Sequence, residues 1–475
     1  MSVEHDLAAS TAPVGRLFSV TIPAPGLTAN DFLAAQTGAR FYWNRDDLVL
    51  AGGGIAAELV VWDRDRFAVV RERAAALFAE AVIETPTSEA GPRLFGGFAF
   101  QDDFAPDNTW AIYAPALFIL PHVQFTQIGA QAWLTINAQQ AEGDELAPET
   151  LRDVATERLA SLTGNATPPT LTPISVRYPM TPEAWSDMVT AATTQIRSGA
   201  LAKVVLARAC EINFREHIDA RAALAYLDQH YVGCYRFLFE PQPHRAWFGA
   251  TPELLARVAG HDLETMALAG SIRRGATPEQ DAELAAQILA DPKERSEHEF
   301  VVAALRERLA GLCTAVDIPA TPDVLRLSNI QHLHTPARGR LREPDGVLAV
   351  IERLHPTPAM GGSPTAVALD FIRASEPIPR GWYASPIGWL DARLDGEFAV
   401  GIRSAVADER RVWLYAGAGI VGDSQPDKEW RETALKFMPM LRALGAAEVV
   451  ERGSGERGSG ERKAKRGAGP LTPIT

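Results

Sequence analysis

The sequence predicts an α+β protein in which large antiparallel sheets pack as a sandwich surrounded by helices, and three observations lead there. Strand-like apolar runs recur along both halves of the chain, and adjacent ones read as hairpins. Helical periodicity comes in blocks that do not alternate regularly with strands, which disfavours a doubly wound parallel sheet. The 475 residues are 47% hydrophobic and 22% charged, enough material for a large core.

Residues 1–163 form a sheet-rich N-terminal part, with strand-like runs at 48–52, 57–62, 94–100, 116–125 and 132–138 and a helix around 70–83. Residues 164–179 are rich in Pro, Thr and Gly and read as a linker. Residues 180–446 form the larger part. It opens with a helix over 182–198, for which Thr181 is the N-cap and Pro182 the first-turn residue. Strands are expected at 203–214, 235–241, 245–250, 263–270, 397–407 and 411–421. Helices are expected near 279–290, 292–312, 345–353, 364–373 and 427–444. The tail over 447–475, with its GSGER repeat, has almost nothing to bury and is expected to be disordered.

The formal net charge of −13 disfavours a broad surface for nucleic acid or an anionic membrane. An acidic metabolite remains possible where a metal or local Arg and Lys neutralise it. Three scattered cysteines, Cys210, Cys234 and Cys313, fit a reducing cytoplasm better than a disulfide framework. No signal peptide is apparent, and no apolar run approaches the roughly 18–20 residues that a spanning helix needs. A cytoplasmic protein acting as a monomer or weak homodimer is the expectation.

Two acidic pairs share a pattern. Glu294 and Glu297 follow Pro292, and Glu429 and Glu432 follow Pro426. At i, i+3 spacing each pair projects from one helical face. Four carboxylates converging from two helices make a hard-oxygen site suited to Mg²⁺. The spacing alone better fits acidic residues complementing a helix dipole on a solvated face. Lys203 lies inside an apolar strand, either at a sheet edge or in a low-dielectric site where a lysine can act as a base. Glu253, after Thr251-Pro252, is either a carboxylate at a turn or a buried, protonated general acid. Gly270-Ser271 can offer backbone N–H groups to an anion or simply turn a strand. Gly417, Gly419 and Gly422 match GxGxxG, but the following helix and the missing acidic strand end argue against a dinucleotide site. They read instead as room for a small ligand beside the backbone.

Together these segments resemble the chorismate-utilising enzyme family. The resemblance spans roughly residues 180–445 and rests on ordered motifs. They are KVVLAR from Lys203, FGATPE ending at Glu253, LAGS ending at Ser271, KERSEH from Lys293 and QHLHT from Gln331. Then come LHPTPAM ending at Met360, YASPIG from Tyr383, FAVGIR ending at Arg403, AGAGIV from Ala416 and EWRET from Glu429. The first 160 residues carry only a loose echo, at Gly96–Phe100. The resemblance implies an anthranilate/isochorismate synthase-like fold and the substrate chorismate. It implies that Lys203 activates water and Glu253 protonates the departing C4 hydroxyl. It further implies Mg²⁺ bound by Glu297 and Glu432 with Glu294 and Glu429 in support, and substrate contacts from Gly270, Ser271, His332, Arg403, Gly417 and Lys436. On this reading Lys203 starts neutral and Glu253 protonated, the reverse of their states in water.

Aminating relatives typically lack lysine at the Lys203 position, so its presence implies water as nucleophile and isochorismate as product. Salicylate synthases keep the lysine but go on to eliminate pyruvate; Pro358-Ala359-Met360 is more similar to the isochorismate-forming pattern. Salicylate formation and a catalytically silent chorismate-binding protein are the alternatives. An isochorismate product would serve menaquinone or siderophore biosynthesis.

Overall fold

Strand pairing organises the molecule into two large sheets. The computed structural model describes residues 15–141, 146–162 and 167–449; most of the tail expected to be disordered lies outside these residues. The first sheet runs from the edge strand Pro173–Arg177 through Lys203–Phe214, Arg411–Ile420, Ser404–Asp408, Arg245–Thr251 and Tyr235–Gln242. It continues through Arg40–Asn44 and Leu48–Gly53 towards the N-terminal strand Leu17–Pro23. The second contains Ile330–Leu341, Asp262–Arg273, Leu254–Ala259, Gly396–Val400, Pro386–Asp391, Arg93–Phe98 and Ala116–Leu120, in that order. Among the described strands every pairing is antiparallel except that of Leu17–Pro23 with Val82–Glu84.

The sheets face one another across an aromatic core. Phe41 of the first stacks on Phe95 of the second at 5.9 Å, and Trp247 lies 6.0 Å from Trp110 and 5.7 Å from Trp382. Each such ring contributes about 1.5–3 kcal/mol by leaving water. Two further cores fill the outer faces, one under the helix Pro426–Ala443 and its neighbours, the other under Arg66–Ala79, Pro292–Leu312 and Gly346–Leu354. Inner and outer layers both being apolar explains why the strands read as near-continuous hydrophobic runs.

Three expectations need correction. The run 116–125, read as one strand, breaks at Pro121: Ala116–Leu120 belongs to the second sheet and Val123–Ile128 to the first. The run 397–407 likewise divides into Gly396–Val400 in the second sheet and Ser404–Asp408 in the first. Period-two alternation survives a bend, so the sequence hides such a corner. The stretch 164–179, read as a connector, supplies the edge strand Pro173–Arg177, antiparallel to Lys203–Phe214; an edge is where a proline is tolerated in a sheet.

A third crossing matters more for the site. Arg245–Thr251 and Leu254–Ala259 also lie in different sheets, with Pro252-Glu253 at the bend. This corner is stitched to the one at 401–403. Val400 N–H donates to the Glu253 carbonyl at 3.0 Å, and Ala250 N–H to the Arg403 carbonyl at 3.2 Å. Gly401 is required there, because a Cβ would stand 2.2 Å from Trp247.

Candidate active site

Beside the stitched corners lies an open cleft. Its walls include Glu253, Gly270, Ser271, Glu297, His332, Arg403, Gly417, Gly419, Glu432 and Lys436. Nine of the predicted residues, from distant parts of the chain, therefore meet in one place, whereas Lys203, Glu294 and Glu429 do not line it.

Lys203 opens the strand Lys203–Phe214 and is 2% exposed, which removes the sheet-edge reading of a solvated lysine. Its Nζ donates to Glu297 Oε1 at 2.9 Å. The amine is thus paired with Glu297, the group it meets on leaving the strand. Burial alone would raise the Glu297 carboxyl; Lys203, with Lys436 and Lys293 beyond, more than offsets it and holds it below its usual range. Room for the pair comes from the strand Arg411–Ile420, where Gly419 is paired with Val205 and Gly417 with Ala207. A Cβ on Gly419 would lie 2.6 Å from Glu297 Oε1 and 3.1 Å from Lys203 Cε. The glycine-rich motif makes space for these side chains, and Gly417 and Gly419 line the cleft.

Glu253 is 3% exposed at its corner, and its side chain hydrogen-bonds to no other described residue. Burial pushes its carboxyl up to about 8 against the pull of Lys203, Lys436 and Arg403, so it holds a proton at neutral pH. Arg403 has φ +51 and is 6% exposed, with no carboxylate partner among the described residues. Its guanidinium donates to His332 Nε2 at 3.2 Å, while His332 Nδ1–H faces the Gly270 carbonyl at 2.9 Å and Ser271 Oγ at 3.0 Å. Burial and Arg403 push His332 down to about 3, so it is a neutral acceptor that orients the guanidinium. A desolvated, unpaired guanidinium bordering a cleft is a receptor for a ligand carboxylate.

Gly270 (φ +74) sits at a bulge, and the Ser271 N–H, expected to meet an anionic ligand, donates instead to Glu294 Oε2 at 3.0 Å. The four glutamates come from two helix starts, Pro292–Leu312 and Pro426–Ala443, with proline in the first turn of each as the sequence predicted. Lysines interleave with them. Lys436 donates to Glu432 Oε1 at 2.6 Å and to the Gly417 carbonyl at 2.9 Å. Lys293 lies 3.8 Å from Glu294 and 3.6 Å from Glu429.

With the lysines between them, no three acidic, His or Cys groups among the described residues stand as a ready-made metal cage. The set is nonetheless short of positive charge. Glu429 Oε1 is buried without a hydrogen-bond partner, and burial with Glu432 nearby raises that carboxyl. Burial and the neighbouring Glu297 push Glu294 up to about 7. Four carboxylates against three lysines leave an excess of oxygen donors, which fits a hard divalent cation of the Mg²⁺ type.

Sequence reasoning assigned no role to Lys293 or to Tyr383 and Tyr415, whose rings stack at 5.2 Å in the cleft wall. Lys293 carried a signal: a cation directly after Pro292 sits at the positive end of a helix dipole, an unfavourable place unless acidic groups surround it. The tyrosines, in apolar runs, carried none.

Comparison with known proteins accords with this geometry. A model of the chorismate binding enzyme family matches residues 5–445, and the chain belongs to that family. Among its relatives, the Pseudomonas aeruginosa salicylate biosynthesis isochorismate synthase is 36% identical over 85% of this chain and 84% of that protein. The Bacillus subtilis isochorismate synthase MenF is 34% identical over 86% of this chain and 88% of its own. The solved structure of the Escherichia coli menaquinone-specific isochorismate synthase MenF superposes with a TM-score of 0.75 at 29% identity, covering 91% of this chain and 95% of that one.

Proposed function

We propose that the protein is an isochorismate synthase, converting chorismate to isochorismate by addition of water at C2 and loss of the C4 hydroxyl. The observation that supports this reading is a desolvated Glu253 in a cleft that also holds an unpaired Arg403, with Lys203 buried behind the Glu297 that lines it. Water adds to C2 as its proton passes to Lys203 Nζ, the ring double bonds shift by one position, and the C4–O bond breaks as Glu253 delivers its proton. The departing hydroxyl leaves as water, so atoms and charge balance. To act on the water Lys203 must part from Glu297. Arg403, aligned by His332, suits one substrate carboxylate, and Lys436 the other. Mg²⁺ held by Glu297 and Glu432, with Glu294 and Glu429 behind, would supply the charge neutralisation that lets a dianion rest among carboxylates.

Incubation with chorismate and Mg²⁺, without ammonia, tests the reading. Isochorismate as sole product is expected. Salicylate with pyruvate would move the assignment to a salicylate synthase, and absence of turnover would leave a chorismate-binding protein.

A further inference from the structure

One charged group at the glutamates has no task in the reaction proposed above. Lys293 lies in the first turn of the helix Pro292–Leu312, at the positive end of its dipole, where a cation is disfavoured. Its ammonium stands 3.8 Å from Glu294 of its own helix and 3.6 Å from Glu429 of the helix Pro426–Ala443. The other two lysines pair differently. Lys203 reaches Glu297 from a strand, and Lys436 reaches Glu432 within one helix. Among the described residues, Lys293 is therefore the lysine whose ion pairs tie the two helix starts to each other.

Burial would lower the Lys293 amine, but Glu429, Glu294, Glu297 and Glu432 together hold it above its ordinary value. All four carboxylates assigned to the metal thus act on this one ammonium. Its hold on them is loose. Both contacts are longer than a hydrogen bond, and Glu429 Oε1, the oxygen that Lys293 approaches, is buried without a hydrogen-bond partner. The Lys293 side chain is 39% exposed and borders an open surface groove, so its flexible stem can withdraw without disturbing a core. A divalent ion entering among these carboxylates meets the ammonium as a like charge and a rival for the same oxygens.

On the metal reading given above, we propose that Lys293 is a resident counter-ion, which links the two glutamate-bearing helix starts in the metal-free protein and is displaced when Mg²⁺ binds. Its charge sets the affinity for the metal. The ammonium offsets repulsion among the carboxylates while no metal is bound, and it opposes entry of the dication. Loss of that charge therefore acts in two directions: the metal-free protein becomes less stable, and the metal binds more tightly.

The test uses the full-length protein stripped with EDTA and dialysed, with Mg²⁺ alone as the probe and circular dichroism to verify folding. By isothermal titration calorimetry, Lys293→Met and Lys293→Gln should bind Mg²⁺ on the order of fivefold more tightly than wild type, the scale of one partly exposed charge contact. Both should melt at a lower temperature than wild type in EDTA. Lys293→Arg keeps the charge and should stay near wild type. So should Lys428→Met, an exposed lysine on the second helix start whose loss changes the net charge equally. In the unmodified protein, amine-reactive labelling of Lys293, read by mass spectrometry, should rise when Mg²⁺ is added. Unchanged or weaker Mg²⁺ binding in the neutral variants, equal tightening in Lys428→Met, or labelling that does not rise would each overturn the counter-ion role and leave the isochorismate synthase reading untouched. Failure of every form to bind Mg²⁺, with chorismate still turned over in EDTA, would overturn the metal assignment itself.

Discussion

Lys203 and Glu253 are asked for opposite protonation states, and their surroundings treat them differently. Glu253 is kept neutral by desolvation alone, whereas Lys203 is held by a single carboxylate. Replacing Lys203 by Ala or Glu253 by Gln should lower kcat by about 10²–10⁴-fold, the span of general acid–base catalysis, with the circular dichroism spectrum unchanged. The raised Glu253 also leaves a mark on stability. Between the usual carboxylate value of 4.5 and about 8 the folded state holds a proton that the unfolded chain has released. Stability therefore falls as pH rises through that window and levels off above it. Glu253→Gln lacks this penalty, so its melting temperature relative to wild type should be higher at pH 9 than at pH 5; an equal margin at both would contradict the burial argument. Gly419→Ala should cut turnover by at least tenfold, because the new methyl meets the Glu297 carboxylate and the Lys203 stem at once. Wild-type rates in that variant would show that the Lys203–Glu297 contact is dispensable.

Among the elements, the two helix starts decide the metal question. Pro292–Leu312 and Pro426–Ala443 each bring one glutamate to the cleft, Glu297 and Glu432, with Glu294 and Glu429 off its wall, and lysines pair with these carboxylates. Chelation by EDTA should stop the reaction and Mg²⁺ restore it, and Glu432→Gln should need at least tenfold more Mg²⁺ for half-maximal rate, consistent with loss of one carboxylate ligand. A chelator-resistant enzyme would remove the metal from the proposal. The second helix is itself clamped by Arg208, which stacks 3.6 Å over Trp430 and donates to Thr433 Oγ1 at 2.7 Å. Arg208→Ala should cost about 2 kcal/mol of stability, measurable by urea unfolding.

These helices were legible in the sequence because Pro, the N-terminal position and the i, i+3 spacing are local signals. Thr181 and Thr277 cap their helices with side-chain oxygens in the same way. The strand over 203–214 was legible to the residue. The corners were not, since a change of sheet at Pro252-Glu253 or at 401–403 leaves the alternation of apolar residues intact. Nor was the partner of Lys203: a strand pattern tells that a lysine is buried, not which carboxylate will reach it from a helix 94 residues away.

At the scale of the molecule, both sheets draw on both parts of the chain. Arg40–Asn44 pairs with Tyr235–Gln242, and Arg93–Phe98 with Pro386–Asp391. Residues 180–446 expressed alone would present two long unpaired edges and half of an aromatic core, and should aggregate. A soluble, cooperatively melting fragment would show that the N-terminal strands are dispensable. The family motifs concentrate after residue 180, yet the walls behind them do not.

The paired hydrogen bonds across the two bends have a mechanical outcome. Because Val400 is fastened to Glu253 and Ala250 to Arg403, the proposed proton donor and carboxylate anchor are riveted to one hinge post. Lys203 stands away from that post, at the start of a strand in a single layer. On the proposed mechanism, flexing of the sandwich would change the gap on the nucleophile's side of the ring and leave the leaving-group side fixed.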